Sequence, residues 1–453
     1  PFKSKIRHLL NRFPLSFYGW AITLLTLAGT FMFMYFIHSP EVPYYDWRVI
    51  LLSLLFLLVG SQLSVFLINW ISTLLVKPDI LARLDFSKQV PEECRTMIVI
   101  PTIIASEDGV DKLIGDLELH YLSNTDNHLH FALLTDFADA PNETQENDDA
   151  LMERVRSGIE ELNQKYDPEN NSLFYVFHRP RLWNPKENVW MGYERKRGKL
   201  MALNSILRGD STDCFSLIEG NISVLPTVKY IITLDTDTQL PPNTANKLIG
   251  TMAHPLNRPD FDVKKNIVVK GYGILQPRVA VTLQSSQSTL FANLFTNESG
   301  IDPYTRTVSD VYQDIFHEGS FIGKGIYDVA AFEQALADRF PENKILSHDL
   351  IESTYVRSGL VSDVEIYENY PPGYNMDAKR RHRWIRGDWQ IIQWLFPRVP
   401  VMNKKTERNP ISGLGKWKVA DNLRRSLVPA AMLFFITGFC VVFPQYVWLG
   451  LII

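Results

Sequence analysis

Two stretches of this 453-residue chain, residues 18–37 and 49–76, are mostly apolar and carry no formal charge. Nothing else in the sequence constrains the fold as strongly. Roughly 20 such residues in a helix cover the hydrocarbon thickness of a bilayer. A leader sequence would be shorter and would stand alone, so the second run argues for membrane anchoring rather than secretion. Trp20, Tyr35, Trp47 and Trp70 lie near the ends of the runs, where amphipathic rings meet the lipid–water interface. Lys3, Lys5, Arg7 and Arg12 precede the first run, Lys77 and Arg83 follow the second, and only Glu41 and Asp46 are charged in the link 39–46. Positive flanks favour the cytoplasmic side, which places the N-terminus and the long polar middle there. A third apolar run starts at Leu427, behind Lys416, Lys418, Arg424 and Arg425, and continues to Ile453. Opening on Pro1 and stopping inside an apolar run, the chain reads as a piece of something longer. The expected organisation is a basic segment (1–17), two transmembrane helices (18–76), a polar domain (81–400), a basic interfacial segment (401–426) and a third transmembrane helix (427–453).

The polar middle alternates β-rich runs with helical stretches. TMIVIPTII (96–104) reads as a buried strand, HFALLT (130–135) as a second ending at Asp136, LFYVFH (173–178) as a third, and residues 229–234 as a fourth. Residues 142–165 suit an exposed helix, and 180–197, rich in Trp, Pro and charge, suits a mobile lid. Strand–helix alternation with acids at strand ends predicts an α/β fold with a parallel sheet. A formal net charge of -4 argues against a nucleic-acid partner held by a global basic surface. Cys94, Cys214 and Cys440 are too far apart in the sequence for a metal-binding pattern.

Four short stretches could carry chemistry. In IITLDTDTQLPP (231–242) an apolar strand ends in Asp235 and Asp237, just before two prolines. Residues two apart in extended chain point to one face, so both carboxylates are expected to project together from the sheet edge. Such a pair either caps a turn or holds Mg²⁺ or Mn²⁺, hard cations that bridge carboxylates to phosphates. RKRGKLMALN (195–204) puts Arg195, Arg197 and Lys199 around Gly198, with Lys199 expected to open a helix; it is either a phosphate cradle or a solvated basic turn. In SHDLIES (347–353), Asp349 and Glu352 share a helical face. Ser347 suits an N-cap there, while Asp349 suits a general base, and the residues alone admit both. KRRHRWIRGDWQ (379–390) places Arg380, Arg383 and Arg386 near one-turn spacing among Trp384 and Trp389, a ligand-binding face, a membrane-surface helix, or both.

The chain order of these motifs resembles the membrane-bound processive glycosyltransferases of the GT-A fold, relatives of cellulose, chitin and hyaluronan synthases. There are departures: His348-Asp349 stands where an acidic tripeptide is usual, and Arg380 replaces the Gln of a Gln-x-x-Arg-Trp motif that keeps Arg383 and Trp384. Longer segments are more specific. DPYTRTVSDVYQDIFHEGSFIGKGIYDV, SHDLIE, SGLVSDVEIYE and RRHRWIRGDWQ resemble the glycosyltransferase part of cyclic β-1,2-glucan synthases, over nearly all of the polar domain. That resemblance implies a Rossmann-like GT-A domain on the cytoplasmic side of a bacterial inner membrane, within a multi-pass chain that has further domains. It implies UDP-glucose as donor, inversion at the anomeric carbon, and a growing β-1,2-glucan carried on a tyrosine of the enzyme. In the roles it implies, Asp136 contacts the uracil or ribose, Lys199 and Arg383 contact the diphosphate, and Thr102 and Arg380 are further substrate-binding residues. Asp235 and Asp237 hold Mg²⁺ or Mn²⁺, Asp349 is the base, Trp384 stacks on the acceptor sugar, and Tyr304 is the candidate primer. The competing expectations are another processive UDP-sugar polymerase with a free or lipid acceptor, and a non-catalytic membrane scaffold.

Overall fold

The computed structural model describes residues 13–38, 43–296, 310–345, 348–402 and 405–444. The β-rich runs form strands β1 (Thr96–Ile104), β2 (Leu129–Phe137), β3 (Phe174–Arg179), β4 (Leu217–Glu219), β5 (Tyr230–Thr233), β6 (Ile274–Val281), β7 (Gly325–Asp328) and β8 (Ser358–Glu368). They join in one eight-stranded sheet of order β8-β6-β7-β5-β1-β2-β3-β4. β7 and β4 run antiparallel to their neighbours, so the fold is mixed α/β and the sheet is mostly parallel rather than wholly parallel as expected. The main helices are α1 (Pro14–Ile37), α2 (Trp47–Leu75), α3 (Glu107–Ser123), α4 (Asp148–Tyr166), α5 (Arg195–Leu207), α6 (Thr244–Ala253), α7 (Val329–Leu336), α8 (Asp349–Val356), α9 (Tyr374–Gln390) and α10 (Gly413–Val442).

The near-continuous apolar character of β1 follows from burial of both its faces. Ile98 and Ile100 pack with Leu117, Val155 and Leu248, from α3, α4 and α6. Met97 and Val99 pack on the other side with Leu203, Phe332, Ile351 and Tyr355, from α5, α7 and α8. From β1 the sheet grows through β2 and β3 on one side and through β5 on the other. That reversal opens a crevice beyond the carboxyl ends of β1 and β5, the usual ligand position in open parallel sheets. Asp136 is the penultimate residue of β2 within that rim, and Asp235 follows β5.

α1, α2 and α10 are long and apolar enough to cross a membrane. Where they meet, Phe33 stacks on Phe56 with ring centroids 4.5 Å apart, and Phe435 packs against both. Trp20, Phe31, Leu63 and Phe66 are exposed on their outer faces, an arrangement lipid favours and water does not. The helix expected from Leu427 begins at Gly413, where Ser412 accepts the Gly415 amide. From Gly413 on, the basic stretch before residue 427 is therefore helical and continuous with the apolar run, while Thr406–Arg408 ahead of it is a short strand. Its charges are locally paired: Arg424 meets Asp421 at 2.8 Å, and Lys418 meets Glu318 at 3.0 Å. The basic residues Lys3, Lys5, Arg7 and Arg12 lie outside the described residues.

A polar joint ties the apolar helices to the sheet. Gln313, in the short helix Val311–Phe316, donates to Asp79 beyond α2 and accepts the Leu360 amide of β8. The Tyr18 ring meets Phe316 and Trp417 edge-on. Lys418 also donates to the Gly319 carbonyl at 2.7 Å. Replacing one partner of a buried ion pair leaves the other uncompensated. In Lys418→Met, the one ion-pair partner left to Glu318 among the described residues would be Arg357, at 3.9 Å. The substitution is expected to destabilise the protein by about 3 kcal/mol, read as a lower melting temperature in detergent; an unchanged melt would contradict the joint's role.

Candidate functional site

The acidic pair departs from its expected geometry. β5 ends at Thr233, and Asp235 to Thr238 form a turn rather than extended chain. The Thr238 amide donates to the Asp235 carbonyl at 3.0 Å, and the Thr238 hydroxyl accepts the Asp235 amide at 3.3 Å. Gln239 then pairs with Tyr367 near the end of β8, fixing the far side of the turn. Thr238 is the physical reason: its hydroxyl offers the backbone a local partner that competes with the strand ladder. The two-residue alternation that put both carboxylates on one strand face does not apply. Asp237 is exposed at the turn tip, while Asp235 is partly buried behind it.

Two ammonium groups hold the Asp235 carboxylate. Lys196 Nζ lies 2.6 Å from Oδ1, and Lys324 Nζ lies 3.3 Å from Oδ2. Burial pushes the Asp235 pKa up, but the two lysines outweigh it and hold the carboxyl at about 2. Lys324 is buried and also bonded to Glu368, the last residue of β8. Burial lowers its pKa, and Asp235 and Glu368 together raise it beyond the usual lysine value.

Lys196 extends the cluster to Asp349. It donates to the Gly323 carbonyl at 2.8 Å, and the Asp349 carboxyl packs against that same glycine, 3.0 Å from where a Cβ would stand. Gly323 has φ +85 and Gly325 φ +151, conformations that other residues adopt only with strain. Asp349 opens α8, where the positive helix end favours a carboxylate. Behind it, His348 Nδ1 lies 2.9 Å from Glu352 Oε2 and 3.6 Å from Asp349 Oδ1. Burial raises the Asp349 pKa; His348 and Lys196 pull it back, Glu352 and Asp235 add to it, and the net shift is upward. Burial disfavours a charged His348, but Glu352 and Asp349 outweigh it and raise its pKa. Ser347 lies outside the described residues, so its capping role has no structural counterpart here.

A second group forms at the end of β2. Arg179 grips Asp136 through two hydrogen bonds of 3.0 and 2.9 Å. Lys199 Nζ lies 3.3 Å from Asp136 and donates to the Thr102 carbonyl. Thr102, Asp136 and Lys199 are thus brought together, and all three are buried. Burial lowers the Lys199 pKa to about 8 even though Asp136 opposes the shift. Residues 180–197 hold a hairpin, Leu182–Asn184 against Val189–Met191, and α5 starts at Arg195 rather than Lys199. On α9, Arg380 pairs with Asp377 at 2.9 Å and lies over the Trp384 ring, while Arg383 is exposed. Among the described residues, Arg380, Arg383 and Trp384 share no hydrogen bond or ion pair with Asp235, Asp237 or Asp349. Tyr304 lies outside the described residues.

Four residues of these groups carried no expectation: Lys196, Lys324, Arg179 and Glu368. A signal existed for two of them. Lys196 is a cation in the first turn of a helix, where the dipole disfavours it, and Lys324 is framed by two glycines in FIGKG. As a cation site the acid turn fits Mg²⁺ or Mn²⁺: its donors are oxygens. Asp237 makes no hydrogen bond or ion pair among the described residues, and Asp235 already draws positive charge. His348, Asp349 and Glu352 also bring three ligand atoms within 4.8 Å of one another, but the imidazole there is engaged with Glu352.

No family model matches the chain. The chain is 43% identical over 411 residues to the cyclic beta-(1,2)-glucan synthase NdvB of Rhizobium meliloti (strain 1021), a match covering 90% of this chain and 14% of that protein. The resemblance read from the long segments is borne out: the chain matches a cyclic β-glucan synthase region.

The Gly323 contact can be tested directly. Gly323→Ala adds a Cβ against the Asp349 carboxyl at an unfavourable φ, and is expected to cost about 1–3 kcal/mol, measured as a lowered melting temperature. A melt at or above the parent value would show that this close approach is not needed.

Proposed function

We propose that the chain is the glycosyltransferase part of a cyclic β-glucan synthase, an inverting, processive enzyme that moves glucose from UDP-glucose to a growing β-1,2-glucan. The observation that carries this reading is the continuous contact from Asp235 through Lys196 and Gly323 to Asp349 at the rim of the sheet. It brings a carboxylate suited to a cation and a carboxylate suited to proton abstraction to one small region. The similarity to NdvB, whose name specifies a β-1,2-glucan product, supports the substrate class. The sheet order with its reversal at β1 and β5 is compatible with a GT-A domain. The three apolar helices fit a multi-pass anchor with this domain on the cytoplasmic side of a bacterial inner membrane.

Each residue then has a task. Asp136, oriented by Arg179 and Lys199, presents an acceptor to the uracil or ribose, with Thr102 beside it. Asp237 and Asp235 would hold Mg²⁺ or Mn²⁺, which when bound would supply positive charge beside the diphosphate. Asp349 accepts the proton of the acceptor hydroxyl, while His348 and Glu352 fix its orientation from behind. An upward-shifted carboxyl is a stronger base, which suits that step. Arg383 and Arg380 stand for the diphosphate side, Trp384 stacks on the acceptor sugar, and Tyr304 is the primer. A Tyr304→Phe protein is expected to lose covalent glucan; labelled glucan still bound to it would move that role elsewhere.

Transfer of labelled glucose from UDP-glucose by membranes holding the chain, followed by linkage analysis, tests the whole reading. A β-1,2 product is expected, and another linkage would favour a different polysaccharide synthase. Asp349→Asn removes the base and is expected to lower the rate by about 10²–10⁴-fold, with UDP affinity retained. The pH dependence has a definite sign. The base works deprotonated and burial raises its pKa, so kcat/KM should fall on acidification at a pH above the usual carboxylate range. An acid limb at the ordinary Asp value would contradict Asp349 as the base.

A further inference from the structure

Three of the four cations in RKRGK are committed away from the acid turn. Arg195 pairs with Asp139 at 2.8 Å, Arg197 with Glu194 at 2.6 Å, and Lys199 with Thr102 and Asp136. Lys196 alone reaches Asp235. Its position is unfavourable by local rules, because the first turn of α5 presents the positive end of the helix dipole. A cation persists there when an anion is met, and the start of a helix is also where phosphate groups bind backbone amides.

A divalent ion on Asp235 could not coexist with both ammonium groups at their present distances, since like charges this close repel strongly. One of the two must withdraw, and the structure distinguishes them. The Lys324 side chain is 3% exposed and is anchored by a second carboxylate, Glu368. The Lys196 side chain is 25% exposed, and its other partner is the neutral Gly323 carbonyl. Lys196 therefore has the weaker tie and the freer path, on a flexible four-carbon stem. The nearest new anion would be the diphosphate oxygens drawn to the same ion.

We infer that Lys196 is a substrate-binding residue that rests on Asp235 in the absence of a divalent ion and transfers to the diphosphate of the nucleotide-sugar when the ion binds. The inference rests on the reading that Asp235 and Asp237 hold the ion. It assigns to Lys196, rather than Lys199, the diphosphate contact on this side of the site.

The test uses the whole solubilised chain. Mn²⁺ alone is titrated by electron paramagnetic resonance, and UDP is then titrated calorimetrically at saturating Mn²⁺. Lys196→Met removes the competing charge, so it is expected to bind Mn²⁺ about tenfold more tightly and UDP about tenfold more weakly. Lys196→Arg keeps the charge and should stay within about threefold of the parent in both titrations. Lys196→Gln gives the same readout as methionine should the latter fail to fold. Mn²⁺ affinity unchanged or weakened in Lys196→Met, or UDP affinity unchanged, would overturn the assignment. The two readings fail differently. If the parent takes up no Mn²⁺ that Asp237→Ala abolishes, the cation site itself is wrong and the inference falls with it. If the parent does so while Lys196→Met changes neither affinity, only the role of Lys196 is lost.

Discussion

The site depends on one electrostatic arrangement: the Asp235 carboxylate between the ammonium groups of Lys196 and Lys324. Each partner comes from a different part of the chain. Lys196 arrives on the first turn of α5, Lys324 on the glycine-flanked approach to β7, and Glu368, which anchors Lys324, at the end of β8. The Asp235 side chain is only partly buried, but the Lys324 ammonium beside it is buried and needs anionic partners, and that requirement brings the three elements together. Asp349 joins because its carboxyl rests on Gly323, whose carbonyl is the second acceptor of Lys196.

The sheet and the apolar helices supply the frame. Burial of both faces of β1 makes the sheet rigid, and the order reversal beside it opens the rim where these groups collect. The same stretch that carries Gly323 and Lys324 begins at Gly319, held by Lys418 of α10 and by the Ser358 carbonyl of β8. The apolar bundle is therefore only a few residues along the chain from the site.

How much of this was legible follows from the physics of each feature. Long uncharged runs and a strand buried on both faces report themselves through composition, because transfer from water dominates their placement. Asp136, Lys199 and Asp349 stood out as single residues in short motifs, but the meeting of Asp136 with Lys199 was not foreseen, because it depends on how α5 packs at the end of β2. The acid turn was misread because a local hydrogen bond from the Asp235 amide to the Thr238 hydroxyl beat strand periodicity. Lys324 and Glu368 were not foreseen because their meeting depends on β7 and β8 lying on the same side of β5. The start of α10 was placed late because paired charges let the helix continue through a basic stretch.

The most direct test is the structure of the solubilised protein with UDP and Mn²⁺. The account expects the ion bound to carboxylate oxygens of Asp237 and Asp235, with the diphosphate beside it. Density for the diphosphate far from that turn, with no ion between, would contradict the account.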